Sequence, residues 1–149
     1  MGSCIPAATQ SLFSLFSTTF PLYTVWFGNE LGVFATNNCI EINAVSGDQV
    51  PAELGPDYRR EEVFSVHCRI TVIRGDASDP ASYLGCMTDA WTTFNALEVA
   101  VANNPTLTQV VRFSELGEME YEPTTTGQGL AMGVLTFVVR CSQRVNSLT

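Results

Sequence analysis

Lysine is absent from this chain: all seven cations are arginine, set against fifteen carboxylates and a single histidine, for a formal net charge of -8 over 149 residues. Sequence-independent affinity for nucleic acid comes from cations that neutralise phosphates, so a general DNA or RNA reader is excluded. The same sign argues against an anionic membrane surface as partner. Long apolar runs are missing too, since none approaches the roughly 20 residues of a spanning helix. Met1 to Phe20 lacks the basic stretch and cleavage site of a signal peptide, so the expectation is a cytosolic protein. Charge of either sign is scarce, at 15% of residues against 46% apolar, where an average domain carries roughly 25% charged residues. Such a surplus fits either a subunit interface or a compositional habit.

The chemical motifs are equally sparse. Five cysteines, Cys4, Cys39, Cys68, Cys86 and Cys141, form no C-x-x-C pair, which points to reduced, buried thiols rather than a disulfide framework or zinc site. No H-E-x-x-H helix, calcium loop, phosphate-binding loop or dinucleotide turn is present. His67 and Cys68 are adjacent on a strand pattern, so they point to opposite faces and cannot form a dyad. We therefore expect no catalytic residue, metal or cofactor. Trp26 with Phe27, and Trp91 with Phe94, read as core packing rather than a ligand box.

What is there divides into seven elements of one domain spanning residues 1–149. Pro6 to Thr18 predicts a short helix, with Leu12, Phe13 and Phe16 at helical spacing. Leu22 to Phe27 and Cys39 to Val45 read as strands. Ser46 to Arg60, with two prolines and two glycines, reads as a long loop suited to an interface. Glu62 to Arg74 is the clearest strand, placing Phe64, Val66, Cys68, Ile70 and Val72 on one face. Asp79 and Pro80 open a helix running to about Val101, with Leu84, Met87, Trp91, Phe94, Leu97 and Val101 as its sheet-covering stripe. Val110 to Arg144 forms a hairpin turned at Thr124 to Gly127, and residues 142–149 should be a loose tail. The expected architecture is α+β: one mostly antiparallel sheet of about five strands, backed by one long and one short helix.

The hairpin holds the most unusual row. Glu118, Glu120 and Glu122 alternate with Met119 and Tyr121, so strand period places the three carboxylates on one face. Val111 and Phe113 then fall on the apolar face with Met119 and Tyr121. Glu115 falls there as well, close to Gly117, and a bulge or twist is expected at that point. Like charges crowded on one face destabilise a lone strand pair, so the row implies a use for a negative surface or the protection of an edge strand.

Glu62, Phe64, Ser65, Val66, Cys68 and Ile70, followed by the Asp79 and Pro80 helix start, then Tyr121, Thr126, Gly129, Ala131, Val134, Phe137, Val139 and Cys141, together resemble the tail terminator proteins of long-tailed bacteriophages. The resemblance covers about residues 61–144 and rests on a pattern of elements, not a catalytic signature; residues 1–60 resemble no family. It implies a structural virion protein of the tail and neck, assembled in the host cytoplasm into a hexameric ring. That ring would cap the tail tube protein, end its polymerisation and offer its other face to the head connector or stopper. DNA would pass through the ring unbound, with Glu118, Glu120 and Glu122, joined by Glu115, facing the lumen and repelling phosphates. Tyr58, Arg59 and Arg60 would contact a neighbouring subunit or the tube, as arginine and tyrosine are favoured anchors. The alternatives are a head-to-tail adaptor or stopper, a tube subunit, or a small cytosolic hydrolase or ligand-binding domain.

Overall fold

A computed structural model describes residues 3–28, 38–51, 59–107 and 110–146, with backbone alone at 49–51, 59–60 and 144–146. In chain order the elements are α1 (Ile5–Thr19), β1 (Thr24–Phe27), β2 (Cys39–Pro51), β3 (Arg59–Asp76), α2 (Pro80–Ala102), β4 (Phe113–Thr125) and β5 (Leu130–Asn146). The strands form one sheet in the order β1-β2-β3-β5-β4. Only β1 and β2 run parallel; the other neighbours are antiparallel. The fold is α+β, in the element order that the hydrophobic periodicity predicts.

Two boundaries differ from expectation. Ser46 to Pro51 extends β2 instead of opening a loop, and Arg59 and Arg60 already belong to β3. Both segments are held by ladder bonds to each other in an antiparallel register, a long-range pairing that turn-forming residues in the sequence obscure. Residues 52–58, which include Tyr58, lie outside the described residues. The C-terminal segment is likewise no loose tail at 142–146, because β5 continues along β3 as far as Asn146.

Both helices pack on one sheet face. Ile40, Ile42, Phe64, Val66, Ile70, Leu135, Phe137 and Val139 present that face, and Leu12, Phe16, Phe94 and Leu97 cover it. Phe137 anchors the centre, meeting Phe94 and Phe16 edge-on at ring separations of 5.4 and 6.4 Å. Burying each such ring is worth roughly 1.5–3 kcal/mol. The entry to α2 follows its sequence: Asp79 accepts a bond from the Ala81 amide at 3.0 Å, and Pro80 occupies the first turn.

The buried stripe of α2 is Cys86, Ala90, Thr93, Phe94, Leu97 and Val101, whereas Leu84 and Met87, expected to cover the sheet, are exposed. Small residues explain the rotation. A Cβ at Gly133 of β5 would sit 3.1 Å from the Cys86 Cβ, so a glycine facing Cys86 lets the first half of the helix approach closely. Trp26 and Phe27 depart from expectation too, being partly exposed on the edge strand β1 instead of lying in the core.

Candidate functional site

The other sheet face carries no helix among the described residues, and its side chains form rows across the strands. Ser46, Ser65, Arg140 and Glu115 are cross-strand neighbours in one row. Next come Ala44, His67, Val138 and Gly117, then Glu41, Arg69, Thr136 and Glu120, then Cys39, Thr71, Val134 and Glu122. The face is polar, with carboxylates concentrated along β4.

A bulge in β4 creates that concentration. Gly117 pairs with Val138 and Glu120 with Thr136, so Glu118 and Met119 together oppose one residue of β5. Glu118 takes the left-handed conformation at φ 50°, which is uncommon for a residue other than glycine and marks the extra residue of the bulge. The inserted residue shifts the alternation. Glu115 therefore lies on the same face as Glu120 and Glu122, and Ser114 and Leu116 turn toward the core instead. Phe113, predicted as core, moves to the outer face and is exposed, and Met119 is exposed within the bulge. Val111, buried just before the strand, and Tyr121 keep their predicted apolar side.

Glu118 reaches the outer face by a different route from its neighbours. Its carboxylate accepts a hydrogen bond from Arg140 in a half-exposed ion pair. It also lines a cleft of about 280 Å³ with Asn43, His67, Thr136 and Val138. His67 Nε2 lies 2.9 Å from Ser46 Oγ on this face, while Cys68 points into the core. The opposite orientation of His67 and Cys68 is as the strand period requires.

Toward β1 the same face holds a buried charge pair that sequence reasoning missed. Arg69 Nη2 donates to Glu41 Oε2 at 2.8 Å, with Glu41 fully buried. The Cys39 thiol donates to the other Glu41 oxygen at 3.6 Å. Burial pushes the Cys39 thiol up to about 11, and the Glu41 charge adds to the rise. Breaking a buried pair strands a charge, so Glu41 and Arg69 hold the β2 and β3 register on this side. No local signal distinguishes Glu41 from a solvent-facing strand residue.

Glu115, Glu118, Glu120 and Glu122 thus share a face, brought together by the bulge, while Arg59 and Arg60 start β3 at its far end. No group of three or more His, Cys, Asp or Glu side chains suited to a metal ion occurs among the described residues. No helix among them is long and apolar enough to cross a membrane. Set against known protein families and curated proteins, the chain matches no family profile and no curated sequence.

Proposed function

We propose that this chain is a structural, non-catalytic virion protein that assembles as a ring, caps a phage tail tube and offers its opposite face to the head connector. The observation that carries the reading is the row of four exposed carboxylates that the bulge gathers along β4, on a sheet face that no helix covers among the described residues. The β4 side of that face is exposed at Glu115, Glu118, Glu120, Glu122, Thr136 and Arg140 and is left for an assembly or a channel, whereas toward β1 Cys39, Glu41 and Thr71 are buried. In a ring that turns this face inward, Glu115, Glu118, Glu120 and Glu122 form a wall that stays net negative after Arg140 pairs with Glu118, and that repels DNA phosphates during passage. Arg59 and Arg60, with Tyr58, belong in this reading to the contact with the tube or a neighbouring subunit.

Negative-stain images of the purified protein, alone and mixed with tail tubes, test the proposal. Short rings or monomers that cap one tube end are expected. Long self-grown tubes would make the chain a tube subunit, and tubes left bare would remove the terminator role. A ring reconstruction with the four carboxylates on the outer rim would overturn the lumen assignment alone. Tail joining unaffected by Arg59→Ala and Arg60→Ala together would remove those two from the docking contact.

A further inference from the structure

Two apolar patches lie on opposite edges of the sheet. On the β1 edge, Leu22 is 97% and Phe27 58% exposed. Phe27 lies on the helix-covered face opposite Ile42, where it lines an apolar groove with Ile5, Phe13 and Val45, and Trp26 points to the other face, opposite Glu41. On the β4 edge, Pro80, Tyr83, Leu84, Met87, Tyr121 and Pro123 line a groove of about 440 Å³ between the start of α2 and the strand. Leu84 is 67% and Met87 42% exposed there, because the small residues facing Gly133 rotate α2 away from its predicted stripe.

We infer that copies of this chain join head to tail, the Leu22 and Phe27 edge of one copy seating in the Leu84 and Met87 groove of the next. This rests on the ring reading above and names its subunit contact. Placed on opposite edges, the two patches cannot cover each other within one chain, and a contact between unlike patches closes into a ring when its rotation allows. Charge selects this pairing over groove against groove. Asp76 and Asp79, next in sequence to the groove residues Ala77, Ser78 and Pro80, are exposed, so two grooves would bring like charges together, whereas residues 20–28 carry no charge at all.

Strand addition is not the mode of contact. Thr126 donates to Leu130 at the hairpin turn, and the alternation of an antiparallel ladder then turns the backbone groups of Tyr121, Pro123 and Thr125 toward the free edge. Pro123 has no N–H to offer there, and the bulge at Glu118 interrupts the edge further. The contact is made by side chains.

The area fits a ring better than a pair. Taking roughly 150–250 Å² for a large side chain, the two patches together hold on the order of 500 Å² of exposed apolar surface. With the usual polar share this buries about 900–1,000 Å² in total, at the lower limit for a specific interface. An isolated dimer is then weak, but a closed ring gives every subunit two such contacts.

Sedimentation velocity across a concentration series up to about 1 mM, where even weak contacts register, tests this with Phe27→Glu and Leu84→Glu. Each variant should associate at least ~30-fold more weakly than the parent, the loss typical of a hot-spot anchor. Mixed in equal amounts, the two should recover dimers, since the Leu84→Glu protein keeps its β1 edge and the Phe27→Glu protein keeps its groove. That recovery also shows both variants to be folded. A parent monomeric at every concentration, either variant assembling like the parent, or a mixture without dimers would overturn the inference. Rings that depend on both patches yet ignore tail tubes would leave this contact standing and remove the terminator role instead.

Discussion

At the scale of single residues, packing around Gly133 gives the sharpest test of the core. A Cβ at this position would fall inside van der Waals contact of Tyr121 Oη and 3.1 Å from the Cys86 Cβ. Gly133→Ala should therefore cost ~1–3 kcal/mol by overpacking, measured by urea unfolding. Tyr121 Oη is buried and has no hydrogen-bond partner among the described residues, so Tyr121→Phe alone should be neutral or slightly stabilising. In the Gly133→Ala background the same change should restore part of the loss, since the Tyr121 Cζ at 3.0 Å and the Cys86 Cβ at 3.1 Å still crowd the new methyl, and a strictly additive pair would disprove the contact. The cysteines make a second residue-scale prediction. Burial raises Cys4 and Cys141 from the ordinary 9.0 to about 12 and Cys39 to about 11, with a hydrogen bond to Glu62 adding to the rise at Cys4. Because the folded values are raised, the thiols contribute their full stability below about pH 9 and lose it as pH climbs toward 11–12. Melting temperature should be level between about pH 7 and 8.5 and fall steadily above pH 9.

At the scale of elements, α1 is held at its start by a strand. Its N-cap position, Cys4, makes no side-chain cap bond, so the first-turn donors need another acceptor. Ser3 Oγ accepts from the Ile5 amide at 3.1 Å, and Glu62 of β3, itself buried, takes the rest: Oε1 accepts from Ser3 Oγ and the Cys4 amide at 2.9 Å each, and from the Cys4 thiol at 3.1 Å. A carboxylate at a helix N-terminus also complements its dipole. Glu62→Ala should cost ~1–3 kcal/mol, and hydrogen exchange should rise in Ile5–Thr19 before it rises in α2. Equal loosening of both helices would refute the tertiary cap. Nothing in the local sequence signals this bond, because its partners are 58 and 59 positions apart. The elements themselves were legible for the opposite reason. Period-two alternation in Glu62 to Arg74 and the Asp79–Pro80 start are local signals, whereas the extension of β2 past Ser46 comes from pairing with β3. The bulge was legible as a conflict, an acid on an apolar face beside a glycine, though its outcome for Phe113 and Met119 required the register with β5.

At the scale of the whole molecule, the acidic face was half visible in the sequence. Alternation put Glu118, Glu120 and Glu122 on one side, but Glu115 joins them only because the inserted residue resets the phase. The apolar edges were not visible, since Leu84 and Met87 read as core until the close approach at Gly133 turned α2. The two features oppose each other in assembly. Every copy carries a net charge of -8, so bringing copies together costs long-range repulsion, while the contact between the two edges is apolar and its residues 20–28 are uncharged. Salt separates these contributions. Screening shortens from about 30 Å at 0.01 M to about 3 Å at 1 M, which removes repulsion between exposed carboxylates and leaves apolar burial intact. Raising salt from roughly 0.02 to 0.5 M should therefore strengthen ring assembly in sedimentation velocity, by at least tenfold in midpoint concentration, because each copy's charge acts on two neighbours. Glu120→Gln with Glu122→Gln should mimic part of that gain at low salt. Rings that dissociate as salt rises would mean that the subunits are held by ion pairs, which would shift the contact from the Leu84 groove to the arginines.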